Sequence, residues 1–317
     1  METASPHRTT VAFYNLENLF DTINDPDTLD DDFTPEGRKK WNEKRYRKKL
    51  KKLGAAIAQI GHEETGNSPS LVGIAEVENF TVVNDLVQTK QLRDHQYGIV
   101  HFDSPDERGI DVAMLYKKTD FELLSSDHFP VQLHDDNGNR DFTRDILLVS
   151  GRLKGELIYC LVNHWPSRRS GTEETAHKRI KAAQRAQEIV EQIRSDDENA
   201  KILIMGDFND NPTDTSIKQF LVDENFYNPY ESLFDKGFGT ASRDKEWYLF
   251  DQIIISRSFF NESKPLVYRR AEIFDDRFLK SWKGKRKGSP FRTYIGKWHQ
   301  GGYSDHFPVY ILLETQQ

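Results

Sequence analysis

The sequence has almost no cysteine, since Cys160 is the single one among 317 residues. An intrachain disulfide and a zinc site built from thiolates are therefore excluded, and we expect Cys160 to be a small buried apolar residue. No apolar run approaches the roughly 18 residues of a membrane span. The first ten residues also lack the apolar stretch of a signal peptide. We expect a soluble protein that is cytoplasmic, or secreted if a leader has been removed.

Positive charge is in the minority, with 44 Lys and Arg against 51 Asp and Glu and a net charge of -7. Bulk charge therefore does not favour a protein that coats nucleic acid. Disorder is not expected either, because 20 Phe, 12 Tyr and 5 Trp can fill a substantial core. No repeat of fixed period and no low-complexity linker divides the chain.

Short apolar runs of strand length recur along the chain, separated by turn residues. They are residues 11–16, 71–75, 110–116, 146–150, 157–162, 202–205, 249–255 and 307–313. Two amphipathic helices are also expected, one that begins at Thr34 and is stopped by Gly61, and one over residues 172–194. Many strands with few helices predict a sheet-rich α/β or α+β fold. The lysines of the first helix fall mostly outside its apolar stripe, which predicts a solvated face rather than a nucleic-acid contact.

Several of these apolar runs end in, or begin beside, a polar side chain. A buried carboxylate without a partner is costly, so each such group needs a cation or a hydrogen-bond donor nearby. Neighbouring strand ends can bring these groups together at one edge of a sheet. The set would offer oxygen ligands and two imidazoles, which favours a hard metal ion over a zinc-thiolate site. Its members are Asn15, Glu17, Glu76, His164, Asp207, Asn209, Asp251, Asp305 and His306.

The ordered motifs resemble those of the endonuclease/exonuclease/phosphatase superfamily, the deoxyribonuclease I-like enzymes. The resemblance is strongest to a bacterial nuclease branch and extends from Asn15 to Val309. It implies a four-layer α/β sandwich in which two mixed sheets pack face to face with helices outside. We expect a single catalytic domain over residues 9–315 behind a flexible N-terminus of residues 1–8. The matching fragments are FYNLEN at 13–18, IAEVEN at 74–79, NHWPSRR at 163–169, GDFN at 206–209 and SDH at 304–306.

The resemblance also implies a metal site. Glu76 matches the metal-binding glutamate of the superfamily, and Asp305 matches a carboxylate near the same ion. Asn15 and Glu17 match the two polar positions of its first strand. The implied cofactor is Mg²⁺, with Mn²⁺ or Ca²⁺ as alternatives.

Five further residues match catalytic positions of the superfamily. Asp207 and Asn209 match the pair that holds the attacking water and the phosphate. His306 matches the catalytic histidine, and Asp251 matches the carboxylate that orients it. His164 matches a second histidine found in the deoxyribonuclease and phosphatase branches.

The chemistry of phosphodiester hydrolysis favours the same residues. A divalent ion on Glu76 and its neighbours can neutralise the charge that gathers on the phosphoryl oxygens. Asp207 can orient or deprotonate water, and Asn209 can donate to the phosphate or to Asp207. A carboxylate on one nitrogen of His306 favours the imidazolium, which can donate to a phosphoryl oxygen. His164 can do the same or protonate the leaving oxygen.

Basic residues close to these motifs are candidates for substrate binding. Arg168 and Arg169 follow His164 in a loop, and Arg292 lies in a basic segment, residues 280–297, with seven Lys and Arg and no acid. The aromatic residues Trp282, Phe291, Tyr294 and Trp298 are interleaved with or flank these cations. Cations can hold backbone phosphates and rings can stack on bases. We expect nucleic acid or another phosphodiester as the partner, and no obligate protein partner is evident.

The sequence thus predicts a divalent-metal-dependent phosphodiesterase, with DNA or RNA as its expected substrate. One alternative is a phosphatase or phospholipase of the same superfamily, acting on an inositol phosphate or a sphingomyelin-like lipid. A second is a metal-binding module without catalysis, for which the acidic block of residues 21–32 is an example. That block lacks the glycine and the final glutamate of an EF-hand.

Overall fold

The computed structural model describes residues 7–315 except for residues 136 and 170. Residues 1–6 of the flexible N-terminus that the sequence predicts lie outside the described residues. Residues 7 and 8 of the same segment lie in a β-strand, because they pair with Thr315 and Glu314 near the other end of the chain.

Six strands form a first sheet. In spatial order they are β15 (Val267–Ile273), β18 (Val309–Thr315), β1 (His7–Leu19), β2 (Leu71–Val77), β4 (Asp111–Lys117) and β3 (Tyr97–His101). The central pair β1–β2 is parallel and the other pairs are antiparallel. Because β1 and β18 are direct neighbours, the two ends of the described chain meet in this sheet.

A second sheet also has six strands. Its order is β11 (Phe226–Tyr227), β14 (Asp251–Ser256), β10 (Lys201–Asp207), β9 (Glu156–His164), β8 (Ile146–Leu153) and β5 (Phe121–Phe129). Here β9 and β10 form the parallel pair, and the remaining pairs are antiparallel. Both sheets are therefore mixed, as predicted.

The helices are α1 (Glu43–Gln59), α2 (His62–Thr65), α3 (Phe80–Val87), α4 (Ala176–Asp196), α5 (Thr215–Lys218) and α6 (Glu231–Asp235). Three two-stranded ribbons pair β6 (Leu133–His134) with β7 (Arg140–Asp141), β12 (Ala241–Arg243) with β13 (Glu246–Tyr248), and β16 (Tyr294–Ile295) with β17 (Trp298–His299). Within the described ranges, no helix is long and apolar enough to cross a membrane.

The central strands β1, β2 and β10 are buried on both faces because each sheet is covered on both sides. In β1, Phe13 packs in a core shared with Met205 of the other sheet, whereas Tyr14 packs in a core shared with α1 and α3. On the far side of the second sheet, Ile204 packs with Ala183 of α4. The order helix, sheet, sheet, helix confirms the predicted four-layer sandwich.

The two sheets approach closely at Gly73 in β2. A Cβ atom there would lie 2.7 Å from Sδ of Met205, 3.1 Å from Cδ2 of Phe13 and 3.2 Å from Cγ1 of Val162. Only a glycine leaves room for those three side chains in the core between the sheets.

Both predicted helices begin later than their sequence signals indicate. Helix α1 starts after Asn42, whose side chain accepts a hydrogen bond from the backbone N of Arg45 (3.2 Å). Thr34 is not the cap of α1, because its Oγ1 accepts from the backbone N of Gly37 in a separate turn (2.9 Å). Helix α4 likewise starts after Thr175 rather than at residue 172.

The topology brings the polar strand ends to one edge. His164 and Asp251 are both register partners of Asp207, so the ends of β9 and β10 and the start of β14 are adjacent. Asn15 near the end of β1 donates from Nδ2 to Oδ2 of Asp207 (2.9 Å), which joins the first sheet to the second. His306 lies just before β18, the neighbour of β1.

Candidate active site

Left-handed backbone occurs where the strands reach this edge. The φ angles of Glu17, Glu76 and Asn209 are +52°, +61° and +50°. Residues with a side chain seldom adopt this conformation, and Asn does so most readily. Such residues persist where the surroundings fix them, often at functional sites. The chain therefore turns sharply at three of the strand ends that carry predicted site residues.

His306 is held by two hydrogen bonds. Its Nδ1 donates to Oδ2 of the fully buried Asp251 (2.6 Å), and its backbone N donates to Oγ of Ser304 (3.1 Å). Burial alone would lower the pKa of His306, but the carboxylates of Asp251 and Asp207 outweigh burial and hold this pKa well above its ordinary value. His306 is therefore an imidazolium whose Nε2 lies 3.9 Å from Oδ2 of Asp207.

Asp207 lies between the two imidazoles. Its Oδ1 accepts from the backbone N of Asn209 (3.0 Å), and its Oδ2 accepts from Asn15. The same Oδ2 is 3.7 Å from Nε2 of His164 and 3.9 Å from Nε2 of His306. Burial raises the pKa of Asp207 to about 7, despite the neighbouring positive charge of His306. A carboxylate with that pKa can accept a proton near neutral pH.

His164 has the opposite electrostatic environment. It is buried, and its Nδ1 has no hydrogen-bond partner among the described residues. Burial and the positive charges of Arg144 and Arg108 hold the pKa of His164 well below its ordinary value. Its Nε2 lies 3.9 Å from Oε1 of Glu76. His164 is therefore a neutral imidazole, which gives it a different role from His306.

Glu76 has one carboxylate oxygen available for a cation. Its Oε2 accepts from the backbone N of Asn18 (2.8 Å). Its Oε1 makes no hydrogen bond within the described part of the chain and lies 3.8 Å from Nη2 of Arg108. A carboxylate oxygen without a hydrogen bond fits Mg²⁺, which prefers hard oxygen ligands.

The other predicted metal ligands are engaged elsewhere. The Glu17 carboxylate accepts from the backbone N of Thr293 (2.5 Å), and Oδ2 of Asp305 accepts from Nη2 of Arg292 (2.5 Å). Burial and the nearby Asp305 charge raise the pKa of Glu17 to about 7. In the described residues, the ligand atoms of Glu17, Glu76 and Asp305 do not gather within 4.8 Å, whereas those of Asp207, Asp251 and His306 do.

Asn209 and the predicted phosphate-binding arginines also have protein partners. The amide Nδ2 of Asn209 donates to the carbonyl of Trp165 (3.0 Å), so its backbone rather than its side chain contacts Asp207. Arg168 donates from Nη2 to Asp210 (2.6 Å) and to Asp214.

Of the three arginines that the sequence assigned to phosphate, two are bound by carboxylates. Arg168 is paired with two aspartates and Arg292 is paired with Asp305. Arg169 is exposed. The sequence shows the cations but not the acids that fold against them.

Three further residues lie at the site, beyond those that the sequence assigned to it. Nη2 of Arg108 donates to Oδ1 of Asn18 (2.7 Å), which places its guanidinium beside Glu76. Lys49 is buried beneath the site, where Nζ donates to Oγ1 of Thr293 (2.8 Å). Its spacing of three from Tyr46 and four to Leu53 puts it on the apolar stripe of α1, and that signal could have identified it.

The third residue, Arg144, holds the end of β9. Its Nη1 pairs with Oδ2 of Asp106 (2.8 Å), and it donates to the carbonyls of His164 (3.1 Å) and Trp165 (2.7 Å). No motif in the sequence points to this buried pair.

The chain is similar to known proteins in sequence and in fold. A family model described as "Endonuclease/Exonuclease/phosphatase family" matches residues 10–315. No curated protein matches the sequence.

Several solved structures share the fold at low identity. TDP2 of D. rerio, complexed with a single strand DNA product, has a TM-score of 0.59 and 15% identity, covering 96% of this chain and 98% of that chain. An endonuclease/exonuclease/phosphatase family protein from Bacteroides thetaiotaomicron has a TM-score of 0.58 and 18% identity, covering 99% and 100%. A mannosyl-6-phosphatase from the same organism has a TM-score of 0.57 and 18% identity, covering 96% and 99%.

Proposed function

Because the chain belongs to the endonuclease/exonuclease/phosphatase family, a family of phosphoric-ester hydrolases, we propose that it is a divalent-metal-dependent phosphodiesterase whose substrate is nucleic acid. One observation carries this proposal. The Asp207 carboxylate lies within 4 Å of both imidazoles, at 3.7 Å from Nε2 of His164 and 3.9 Å from Nε2 of His306. A base, a cationic donor and a neutral imidazole therefore converge on one point.

Three side chains have separate roles in in-line hydrolysis. Asp207 accepts a proton from the attacking water, because its pKa is raised to about 7. His306, kept cationic by Asp251, donates from Nε2 to a phosphoryl oxygen as negative charge develops there. His164 is neutral and can hydrogen-bond the reacting oxygens without adding a charge.

A divalent cation would be held first by Glu76, whose Oε1 makes no hydrogen bond within the described residues. Asn15 and Asp305 lie on neighbouring strand ends, and they would join after Asn15 releases the backbone N of Glu17 and Asp305 releases Arg292. Glu17 could join only after it releases the backbone of Thr293. When bound, Mg²⁺ or Mn²⁺ neutralises charge on the phosphoryl oxygens and polarises the phosphorus.

Two observations support nucleic acid as the substrate class. The basic segment of residues 280–297 leads directly to Asp305 and His306. The structure of D. rerio TDP2, which shares the fold, contains a single strand DNA product. The mannosyl-6-phosphatase with the same fold makes a phosphate monoester the second candidate substrate.

The test is a substrate comparison with purified protein and Mg²⁺ or Mn²⁺. The substrates are single-stranded DNA, duplex DNA, RNA, bis(p-nitrophenyl) phosphate as a diester and p-nitrophenyl phosphate as a monoester. We expect cleavage of diesters that stops in EDTA, and a loss of at least about 100-fold in Asp207→Asn. Asp235→Asn, at an exposed position on α6, is the matched control. Phosphate release from monoesters alone would establish the phosphatase alternative, and no turnover on any substrate would refute the proposal.

A further inference from the structure

Two basic segments that are distant in the sequence form one surface. Lys39, just before α1, donates from Nζ to the carbonyl of Gly296 (2.7 Å), and Lys52 on α1 donates to the carbonyl of Gly301 (2.6 Å). These contacts pack α1 against the segment that precedes His306. The sequence predicts a separate solvated face for the α1 lysines, whereas the structure joins them to the other basic segment.

The joined surface is rich in cations that no carboxylate neutralises. We name it the cationic face, and it consists of Arg45, Lys48, Lys52, Lys283, Lys285, Arg286, Lys287 and Lys297. Among the described residues none of these eight makes an ion pair with Asp or Glu, in contrast to Lys280, which pairs with Asp275 (2.5 Å). Arg45, Lys48 and Lys52 are spaced by three and four residues, which places them on one side of α1.

The pKa of His299 reflects the positive charge of the cationic face. Its pKa is lowered to about 4, first by burial and then by the positive charges of Arg45, Lys48, Lys49 and Lys52. Cations from α1 therefore act together at the β16–β17 ribbon, which carries His299.

Two exposed tryptophans border the cationic face. Trp282 is 70% exposed and Trp298 is 68% exposed, so both indoles present wide flat surfaces to solvent. An ammonium group accompanies each ring, since Nζ of Lys283 lies 4.5 Å from the ring of Trp282 and Nζ of Lys297 lies 5.5 Å from that of Trp298. An aromatic surface beside a cation suits a planar base that is followed by a phosphate.

A cavity opens in this surface. It has a volume of about 620 Å³ and is lined by Trp282, Lys285, Arg286, Phe291 and Arg292, among others. Arg292 in turn binds Asp305, the neighbour of His306 in the chain. The cavity therefore shares Arg292 with the edge of the active site.

We propose that the cationic face, with Trp282 and Trp298, binds an unpaired strand of the nucleic-acid substrate and leads it through this cavity to the active site. The inference rests on the proposed function and adds the strand state of the substrate. Bases in a duplex are stacked on one another and cannot reach the indoles, whereas unpaired bases can. Since every base has a π-face, binding is expected to be largely independent of sequence.

Binding can be measured without turnover by fluorescence anisotropy in EDTA. The probes are a fluorescein-labelled 15-nucleotide oligo(dT) and a duplex of the same length, titrated with the full chain at several salt concentrations. We expect the single strand to bind at least about fivefold more tightly than the duplex, because only unpaired bases can stack on the indoles. Trp282→Ala with Trp298→Ala should raise the Kd for the single strand by about 10- to 100-fold, and replacement of both residues by Phe should restore part of the loss.

Charge is tested separately from stacking. Lys283→Glu, Lys285→Glu and Lys297→Glu together should reduce the slope of log Kd against log salt by about 2, at roughly 0.7 for each phosphate contact on a single strand. Phe260→Ala and Lys264→Glu are the matched controls, because both residues lie at the end of the molecule opposite the site. The residues that follow them, Pro265 and Leu266, contact the start of β10, whereas Asp207 is at the end of that strand. Equal urea midpoints confirm that the variants are folded.

Three results would overturn the inference: equal or tighter binding of the duplex, equal losses in the control variants, or binding of phosphatidylserine vesicles in place of oligonucleotide. The proposed function fails in a different way. Wild-type protein that binds the strand but cleaves no substrate would refute the phosphodiesterase proposal and leave this inference intact. If the protein cleaves oligonucleotides but substitutions in the cationic face leave binding unchanged, this inference alone is refuted.

Discussion

The two histidines of the active site have opposite charge states because their neighbours differ. His306 donates to the Asp251 carboxylate, which stabilises the imidazolium, whereas His164 is buried near Arg144 and Arg108. Residue type alone could not separate these roles, although the sequence motifs placed both histidines at strand ends. The difference in pKa arises from burial and the charge of Arg144 at His164, and from the Asp251 carboxylate at His306; no motif identifies Arg144.

Asp251→Asn should move the alkaline limit of activity to lower pH. The native carboxylate keeps the pKa of His306 raised, so the imidazolium persists to high pH. Without that charge, His306 loses its proton as pH rises through a lower value. We expect a loss of about 100-fold at pH 8 and a smaller one at pH 6, measured as a pH profile of diester hydrolysis. A profile parallel to the wild type would contradict the role given to His306.

Arg168 and Arg108 should respond differently to the same substitution. Arg168 binds Asp210 and Asp214. Arg168→Gln leaves Asp214 without an ion pair, whereas Asp210 keeps its pair with Arg179, so the free energy of unfolding should fall by about 1–2 kcal/mol. Arg108→Gln removes a guanidinium that lies beside Glu76 and should lower kcat/KM by about tenfold, with little change in stability. Urea unfolding and diester kinetics on both variants provide the comparison, and the opposite assignment of effects would reject it.

At the scale of elements, strands were predicted better than helix ends. The runs at 71–75 and 202–205 are apolar throughout because β2 and β10 are buried on both faces, and such runs are visible in a sequence. Strand β5 (Phe121–Phe129) was missed because it is an edge strand with mostly half-buried or exposed residues. The start of α1 was missed because Thr34 and Asn42 are both good caps, and only tertiary contacts decide between them.

Asn42→Ala should destabilise the protein by about 1 kcal/mol, the usual cost of losing a side-chain cap. The Asn42 side chain accepts from the backbone N of Arg45, one of the otherwise unpaired donors of the first turn. Lys44→Ala, at an exposed position of the same turn, is the control. Urea unfolding measures both, and equal midpoints for the two variants would place the start of the helix elsewhere.

At the scale of the whole molecule, the sequence predicted which residues meet but not which ones remain free. Asn15, Glu76, Asp207 and His306 do converge at one edge of the two sheets. The net charge of -7 does not show how the charges are distributed. The cationic face is assembled from α1 and a segment more than 200 residues further along the chain. Pairing of Arg292 with Asp305 was equally invisible, since ion pairs depend on packing rather than on order in the chain.

Gly73→Ala should lower the free energy of unfolding by about 1–3 kcal/mol, the typical cost of an added methyl group in a packed core. The new Cβ would lie 2.7 Å from Sδ of Met205, so the sheets would have to separate slightly or the methionine would have to move. When Met205→Ala has removed the methionine side chain, the methyl group of Gly73→Ala has room. The double variant should therefore be more stable than Met205→Ala alone. Additive losses in urea unfolding would show that the sheets do not meet at this point.

The pairing of β1 with β18 has a consequence for biosynthesis. The strand that flanks β1 in the finished sheet, with Asp305 and His306 just before it, is synthesised long after Asn15. Contacts between such distant residues form slowly, because a long loop must close before they can contribute. A nascent chain therefore carries an incomplete first sheet and no imidazolium at its active site. Hydrolytic activity begins only when β18 has been released.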